Sequence, residues 1–221
     1  MKTVSSIVEN YIKTKPFLLN ALSLGIINLT SLSRIMMPEL QSHLGKEVKQ
    51  GAIVMALKRL SEELDFKINY KISKVLKNIG EITVRSSLTD YTFVISDTLL
   101  ENQARLLAEI NRKQDIFYTS SRGVNETNIV VSSSIASIID TIFRGEKLTH
   151  KIEDLSSITV KLPQENISTP GVYYYIFQRL AWEGIIIHEV ISTTNEFTII
   201  VSDDQIDIAF KVIKDLKNVL D

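Results

Sequence analysis

Cysteine is absent from all 221 residues, which excludes disulfides, zinc–thiolate centres and thiol nucleophiles. The three histidines, His43, His150 and His188, lie in separate segments, and none has a carboxylate at metal-ligand spacing. No Walker-type glycine loop is present, and no G-x-G-x-x-G follows a strand pattern. Paired carboxylates occur at Glu62-Glu63 and Asp203-Asp204, but at helix ends, where capping and solvation account for them. The expectation is a protein without catalytic residues, metal or cofactor. No window approaches the ~20 uninterrupted apolar residues of a membrane span. The start, MKTVSSIVENYIKTKPFLL, scatters charge where a signal peptide carries an apolar core. A cytoplasmic chain that does not engage membrane is expected.

What is present is ordinary in bulk and uneven in distribution. An apolar fraction of 44% with 23% charged residues suits a folded globular chain. The net charge of −1 conceals opposed halves: residues 1–80 hold 12 Lys/Arg against 6 Asp/Glu, and residues 81–221 hold 13 against 20. A basic front and an acidic rear suggest two modules with different partners.

Residues 4–66 read as helical. Apolar positions recur at helical spacing over 4–13 and 16–24, with Gly25 as a C-cap. Asn28 or Thr30 can cap a helix over 31–37, which Pro38 breaks or restarts, and Gly45 closes the segment. A longer helix is expected over 46–64, with Val48, Ala52, Met55 or Ala56, and Leu60 on its apolar face. Its other face shows Lys49, Gln50, Lys58 and Arg59. A short helix, a turn and a longer helix with a basic face is the helix-turn-helix order, in which the later helix enters the major groove of double-stranded DNA. Arg34 and Lys46 are placed to hold the DNA backbone. Lys67, Lys71, Lys74 and Lys77 either continue a helical stripe or form a solvated linker.

From Glu81 the periodicity changes. Strands are expected at ITVRSSL, YTFVISD, DIFYTSS, TNIVVSS, SSITVKL, IIIHEVIST and EFTIIVS. Helices are expected at DTLLENQARLLAEINR, at SIASIIDTIFRG, from a start at Pro170–Val172 to a cap at Gly184, and over 203–220. The order strand–helix–strand–strand–helix thus occurs twice, at 91–145 and 156–220, which is a ferredoxin-like α+β unit used in tandem.

The rear stretch carries Pro170-Gly171-Val172, Ile176-Phe177, Leu180-Ala181, Gly184-Ile185-Ile186-Ile187 and Ile191-Ser192-Thr193 after a polar loop. In that combination it resembles an ACT domain, in particular the regulatory domains of aspartokinases. The resemblance implies an α+β fold in which a helix-turn-helix-like segment with linker (1–80) precedes a tandem ACT region (81–221). It also implies that a first unit of about 91–155 is inserted in a second made of 81–88 plus 156–221, so that 81–88 pairs with the sheet of the last unit. No aspartokinase catalytic opening of the Lys-Phe-Gly-Gly-Ser kind occurs.

ACT domains bind small effectors, usually amino acids, between units, and they dimerise by joining sheets; a homodimer is therefore implied. The loop before residue 172 has the chemistry for it. Gly171 lets a ligand approach the backbone, and the free N–H groups at Val172 suit a carboxylate. Gln164, Asn166, Ser168 and Thr169 can take an ammonium or a polar tail, with Ile187, His188 and Ile191 as the far wall. The matching first-unit loop, Ser96-Asp97-Thr98-Leu99, lacks the glycine. Two functions follow: an amino-acid-responsive DNA-binding regulator, or a kinase-less regulatory subunit acting in trans on a biosynthetic enzyme.

Overall fold

The computed structural model describes residues 3–64, 67–111, 113 and 115–218. The chain divides into two units, Met1–Lys74 and Val75–Asp221.

The first unit contains α1 (Val4–Lys13), α2 (Pro16–Ser23), α3 (Leu29–Leu44), α4 (Gln50–Leu64) and the start of α5 (Lys67–Lys77). Thr3 opens α1 with a reciprocal cap: its hydroxyl accepts from the Ser6 N–H, and the Ser6 hydroxyl accepts from the Thr3 N–H. Asn28, rather than Thr30, caps α3 by accepting from the Ser31 N–H at 2.9 Å. Gly45 ends that helix in the left-handed region at φ 64°. Ile12, Met36, Leu40, Ile53 and Leu57 are fully buried at the centre of the core.

Two expectations need correction here. Pro38 neither breaks nor restarts α3 but lies inside it. Proline removes one backbone hydrogen bond, and the burial of Leu32, Met36 and Leu40 along one side outweighs that loss. The helix expected over 46–64 starts at Gln50. Its buried face is Ile53, Ala56, Leu57 and Leu60; Ala56 and Leu60 were expected there, Ile53 and Leu57 were not, and Ala52 and Met55 are exposed. Of the two readings of 67–77, a helical stripe or a linker, the helix is the one observed. Asp65 and Phe66 lie outside the described residues.

The second unit is one antiparallel sheet with helices. Its strands are β1 (Ile82–Val94), β2 (Tyr118–Arg122), β3 (Glu126–Ser132), β4 (Leu148–Lys161), β5 (Glu189–Ser192) and β6 (Glu196–Ser202), in the order β2-β3-β1-β4-β6-β5. Its helices are α6 (Leu99–Ile110), α7 (Ala136–Ile142), α8 (Val172–Trp182) and α9 (Ile206–Asp215). Arg112, Val219 and Leu220, at the ends of two expected helices, lie outside the described residues.

The order reads the same from either edge, and each half follows from the two long central strands. ITVRSSL and YTFVISD, expected as separate strands, are one strand, β1; SSITVKL is only the second half of β4. Arg85 and Leu88 oppose Ser157 and Leu155, while Leu88 and Asp90 oppose Leu155 and Ile152. Each strand therefore carries one extra residue next to the Leu88–Leu155 pair. Ser87 at φ 57° and Asp154 at φ 54° absorb these two bulges. The extra residues reset the alternation: Ile82 and Val84 pair with Val160 and Ile158 on one side of the centre, and Tyr91 and Phe93 turn inward on the other. A single strand can thus run through both halves of the sheet.

In the first half, Tyr91, Phe93, Ile129 and Val131 pack with Leu99 and Leu106 of α6 and Ile139 of α7. In the second half, Ile158, Val160, Phe197 and Ile199 are buried, as are Val172, Ile176 and Leu180 of α8 and Val212 and Ile213 of α9. Leu88, Val130, Leu155 and Ile200 form a separate central cluster. Ile82–Arg85 pairs with Val160–Ser157, the part of β4 that also pairs with β6. The first segment of β1 thus lies beside the last half's strands. The fold class is α+β, with tandem ferredoxin-like, ACT-type units after a helical region.

Candidate functional site

The strand-to-helix corner of the second half holds an open cavity. After β4, Leu162 donates its N–H to Asn195 at 2.7 Å, and Pro163 starts a 3-10 turn over Gln164–Ser168. Asn166 is the buried residue of that turn, 8% exposed. Thr169 closes the turn: its hydroxyl donates to the Glu165 carbonyl at 2.7 Å, and the Ser168 hydroxyl reaches the same oxygen at 3.3 Å. Gly171 then sits at φ 92°, a conformation that side chains resist, and no side chain caps α8. Tyr175 donates back to Gly171 at 3.0 Å, so the turn at Pro170-Gly171 leads directly into α8, and the N–H groups of its first turn have no partner within the helix.

Those groups open onto a cavity of about 360 Å³, lined by the run Asn166–Tyr174. Its polar lining is Asn166, Ser168, Thr169 and backbone; Ile167 and Tyr174, 67% and 43% exposed, give it an apolar rim. Tyr173 organises the floor. Its hydroxyl accepts from the Asn166 amide at 3.2 Å and lies 2.7 Å from the Ser192 hydroxyl, while its ring stacks on Phe197 at 5.1 Å. An anion set on the helix end would meet converging N–H dipoles, with amide and hydroxyl oxygens beside them for a cationic group.

Of the residues selected from sequence, the corner brings together Asn166, Ser168, Thr169, Gly171 and Val172. Gln164 begins the same turn but does not line the cavity. Ile187 precedes β5, and His188 bonds through Nε2 to the Ser202 hydroxyl at 2.9 Å. The expected strand over IIIHEVIST is reduced to Glu189–Ser192. Tyr173 was missed, because on sequence it is one aromatic in a Tyr-Tyr-Tyr run and nothing marks which ring turns inward.

Ile191 lines a second, smaller cavity of about 180 Å³, together with Thr119, Ser120, Ser121 and Asn128 from the other edge of the sheet. Next to it Asp90 is 6% exposed and accepts from the Asn128 amide at 2.6 Å. Burial first, and then the Glu189 charge, push its carboxyl up to about 6, against the opposing pull of Asn128 and His150.

In the helical unit, Arg34, Lys46, Lys49 and Lys58 are exposed. Gln50 is not a free contact residue: its amide donates to the Thr30 carbonyl at 3.2 Å and the Ser33 hydroxyl at 3.1 Å, tying α4 to the first turn of α3. Arg59 donates to the Ser5 hydroxyl at 3.1 Å. Among the described residues no group of three His, Asp or Glu stands together as a metal site, and no helix is long and apolar enough to cross a membrane.

The second unit has the fold of the regulatory regions of aspartokinases. The regulatory subunit of aspartate kinase from Thermus thermophilus superposes with a TM-score of 0.51 at 12% identity, covering 62% of this chain and 97% of that one. A structure of aspartokinase alpha and beta subunits gives 0.51 at 15%, covering 64% and 99%. Aspartate kinase from Synechocystis gives 0.51 at 16%, over 63% of this chain but only 26% of that enzyme. No protein-family model and no curated protein matches the chain.

Proposed function

We propose that this chain is an amino-acid-sensing regulatory protein, with the corner formed by Asn166–Tyr174 as its effector site. The observation that carries this reading is the uncapped N-terminus of α8 opening onto a cavity lined by amide and hydroxyl groups. The carboxylate of the amino acid sits on the N–H groups of Val172–Tyr174, and its ammonium faces the oxygens of Asn166, Ser168 and Thr169. Residues 81–88 with 156–221 form the effector-binding unit, and 91–155 the inserted one. Dimerisation joins the units of two chains.

The helical unit sets the output. Its excess of positive charge and the exposed Arg34, Lys46, Lys49 and Lys58 support DNA binding through phosphate neutralisation, with α4 as the reading helix. Action in trans on a biosynthetic enzyme is favoured by different observations: Ile35 is 69% and Met55 56% exposed on the same helices, and a structure described as a regulatory subunit shares the fold of the second unit. A gel-shift titration against the upstream region at two salt concentrations separates them. DNA binding gives retention that falls steeply with salt; no retention at micromolar protein leaves the enzyme partner.

The effector reading is tested by a thermal-shift screen of the twenty amino acids. One of them raises the melting temperature in a concentration-dependent way, by mass action on the native state. If none does so at millimolar concentration, the sensing role is wrong.

A further inference from the structure

The two halves of the sheet repeat each other, yet their strand-to-helix corners are finished differently. Neither α6 nor α8 is capped by its N-cap residue's side chain, so the difference lies in what fills the corner. In the first half the equivalent corner, between β1 and α6, is filled by a carboxylate from the same chain. Glu146, in the turn after α7, receives the Ser96 hydroxyl on one oxygen at 2.5 Å, and on the other the Thr98 hydroxyl and the Asn102 amide, both at 2.7 Å. Ser96 in turn accepts the Leu99 N–H at 3.1 Å, so the carboxylate is joined through one hydroxyl to the first residue of α6. The Glu146 N–H donates to the Phe143 carbonyl at 2.8 Å, which fixes the turn that presents it.

We propose that Glu146 is a built-in ligand: its carboxylate holds the first corner closed, so that the chain takes up its effector through the second half alone. The assembly of donors fits a carboxylate, with three donors converging on two oxygens from a loop, a helix start and the second turn of that helix. Burial opposes the charge, yet the bonds from Ser96, Thr98 and Asn102 outweigh it and hold the carboxyl below its usual range. The loop is also shorter, running from Val94 to Leu99 where the second half runs from Lys161 to Val172. An external acid would have to displace an internal one that loses little freedom on binding, which is an unequal competition. The closure of the first corner stands whether or not the second takes an amino acid; only the restriction of sensing to one half rests on the reading above.

The test uses the full chain with Glu146→Ala and acetate or propionate as probe. Emptying the corner lowers the melting temperature. Acetate at tens of millimolar then restores roughly 2–4 °C relative to chloride at equal ionic strength. Wild type and Glu146→Gln, in which the corner is filled, do not respond. The proposal is overturned if Glu146→Ala is destabilised but acetate does nothing, or if wild type responds equally, since Glu146 would then be an ordinary tie between two turns. Should Glu146→Ala fail to fold, the wild-type carboxyl is titrated by carbon-detected NMR. A value below the ordinary glutamate range, rising in Asn102→Ala, supports the closure, and titration as a free glutamate overturns it. Neither arm uses an amino-acid effector, so failure here is distinct from failure of the sensing role.

Discussion

Gly171→Val abolishes the amino-acid-dependent rise in melting temperature while leaving the chain folded. At φ 92° the residue lies where a Cβ is strained and a β-branched side chain more so. The substitution costs about 1–3 kcal/mol in place; otherwise the backbone relaxes to negative φ and turns the N–H groups of Val172 and Tyr173 away from the cavity. Either outcome spoils the anion seat. The core beneath, built on Ile158, Ile176, Leu180 and Ile199, is untouched, since these side chains are fully buried away from the corner. Circular dichroism should therefore match wild type. A variant that folds and still responds to the effector as wild type does would show that the ligand binds elsewhere.

Asp90→Asn should change the pH dependence of stability more than any surface substitution. The folded-state carboxyl is raised from 3.8 to about 6, so the proton favours the folded chain. Its contribution is fully present below the unfolded value near 4 and is lost as pH rises through about 6. The ionised, buried form costs at most about 3 kcal/mol above that, taking 1.36 kcal/mol per pH unit. Asparagine keeps an acceptor for the Asn128 amide without the charge. Urea unfolding should give similar stability for both proteins at pH 4 and greater stability for the variant at pH 8. Glu189→Gln should shift the wild-type transition to lower pH, because Glu189 is the principal charge raising Asp90. Identical profiles for wild type and Asp90→Asn would remove Asp90 as the titrating group.

How much of this was legible in the sequence follows from the range of each interaction. The repeated α+β order and the change of character near residue 81 come from periodicity within segments, and the fold agrees with them. Short-range chemistry was legible too: Gly45 ends α3, and a polar loop with Pro170-Gly171 leads into α8. What failed depends on partners distant in sequence. Two strands were read where β1 is one, because the bulge at Ser87 shifts the alternation and mimics an interruption; only β4 opposite reveals continuity. Pro38 was read as a break because local propensity was given more weight than the burial of Met36 and Leu40. Gln50 was assigned to a DNA-facing surface, but its partners Thr30 and Ser33 lie 17 to 20 residues away. Glu146 drew no attention, for its three donors sit 44 to 50 residues earlier.

The corner at the start of α8 is where effector binding is tested most directly. With the amide resonances assigned, the chain is titrated with the amino acid that gives the largest thermal shift, and the nitrogen–proton spectrum is followed. The amides of Val172, Tyr173 and Tyr174 and the side-chain amide of Asn166 should move together and saturably, with the first-half corner at Ser96–Asn102 unmoved. Saturable shifts centred elsewhere, or none at all with a stabilising amino acid, would contradict the assignment of this corner as the effector site.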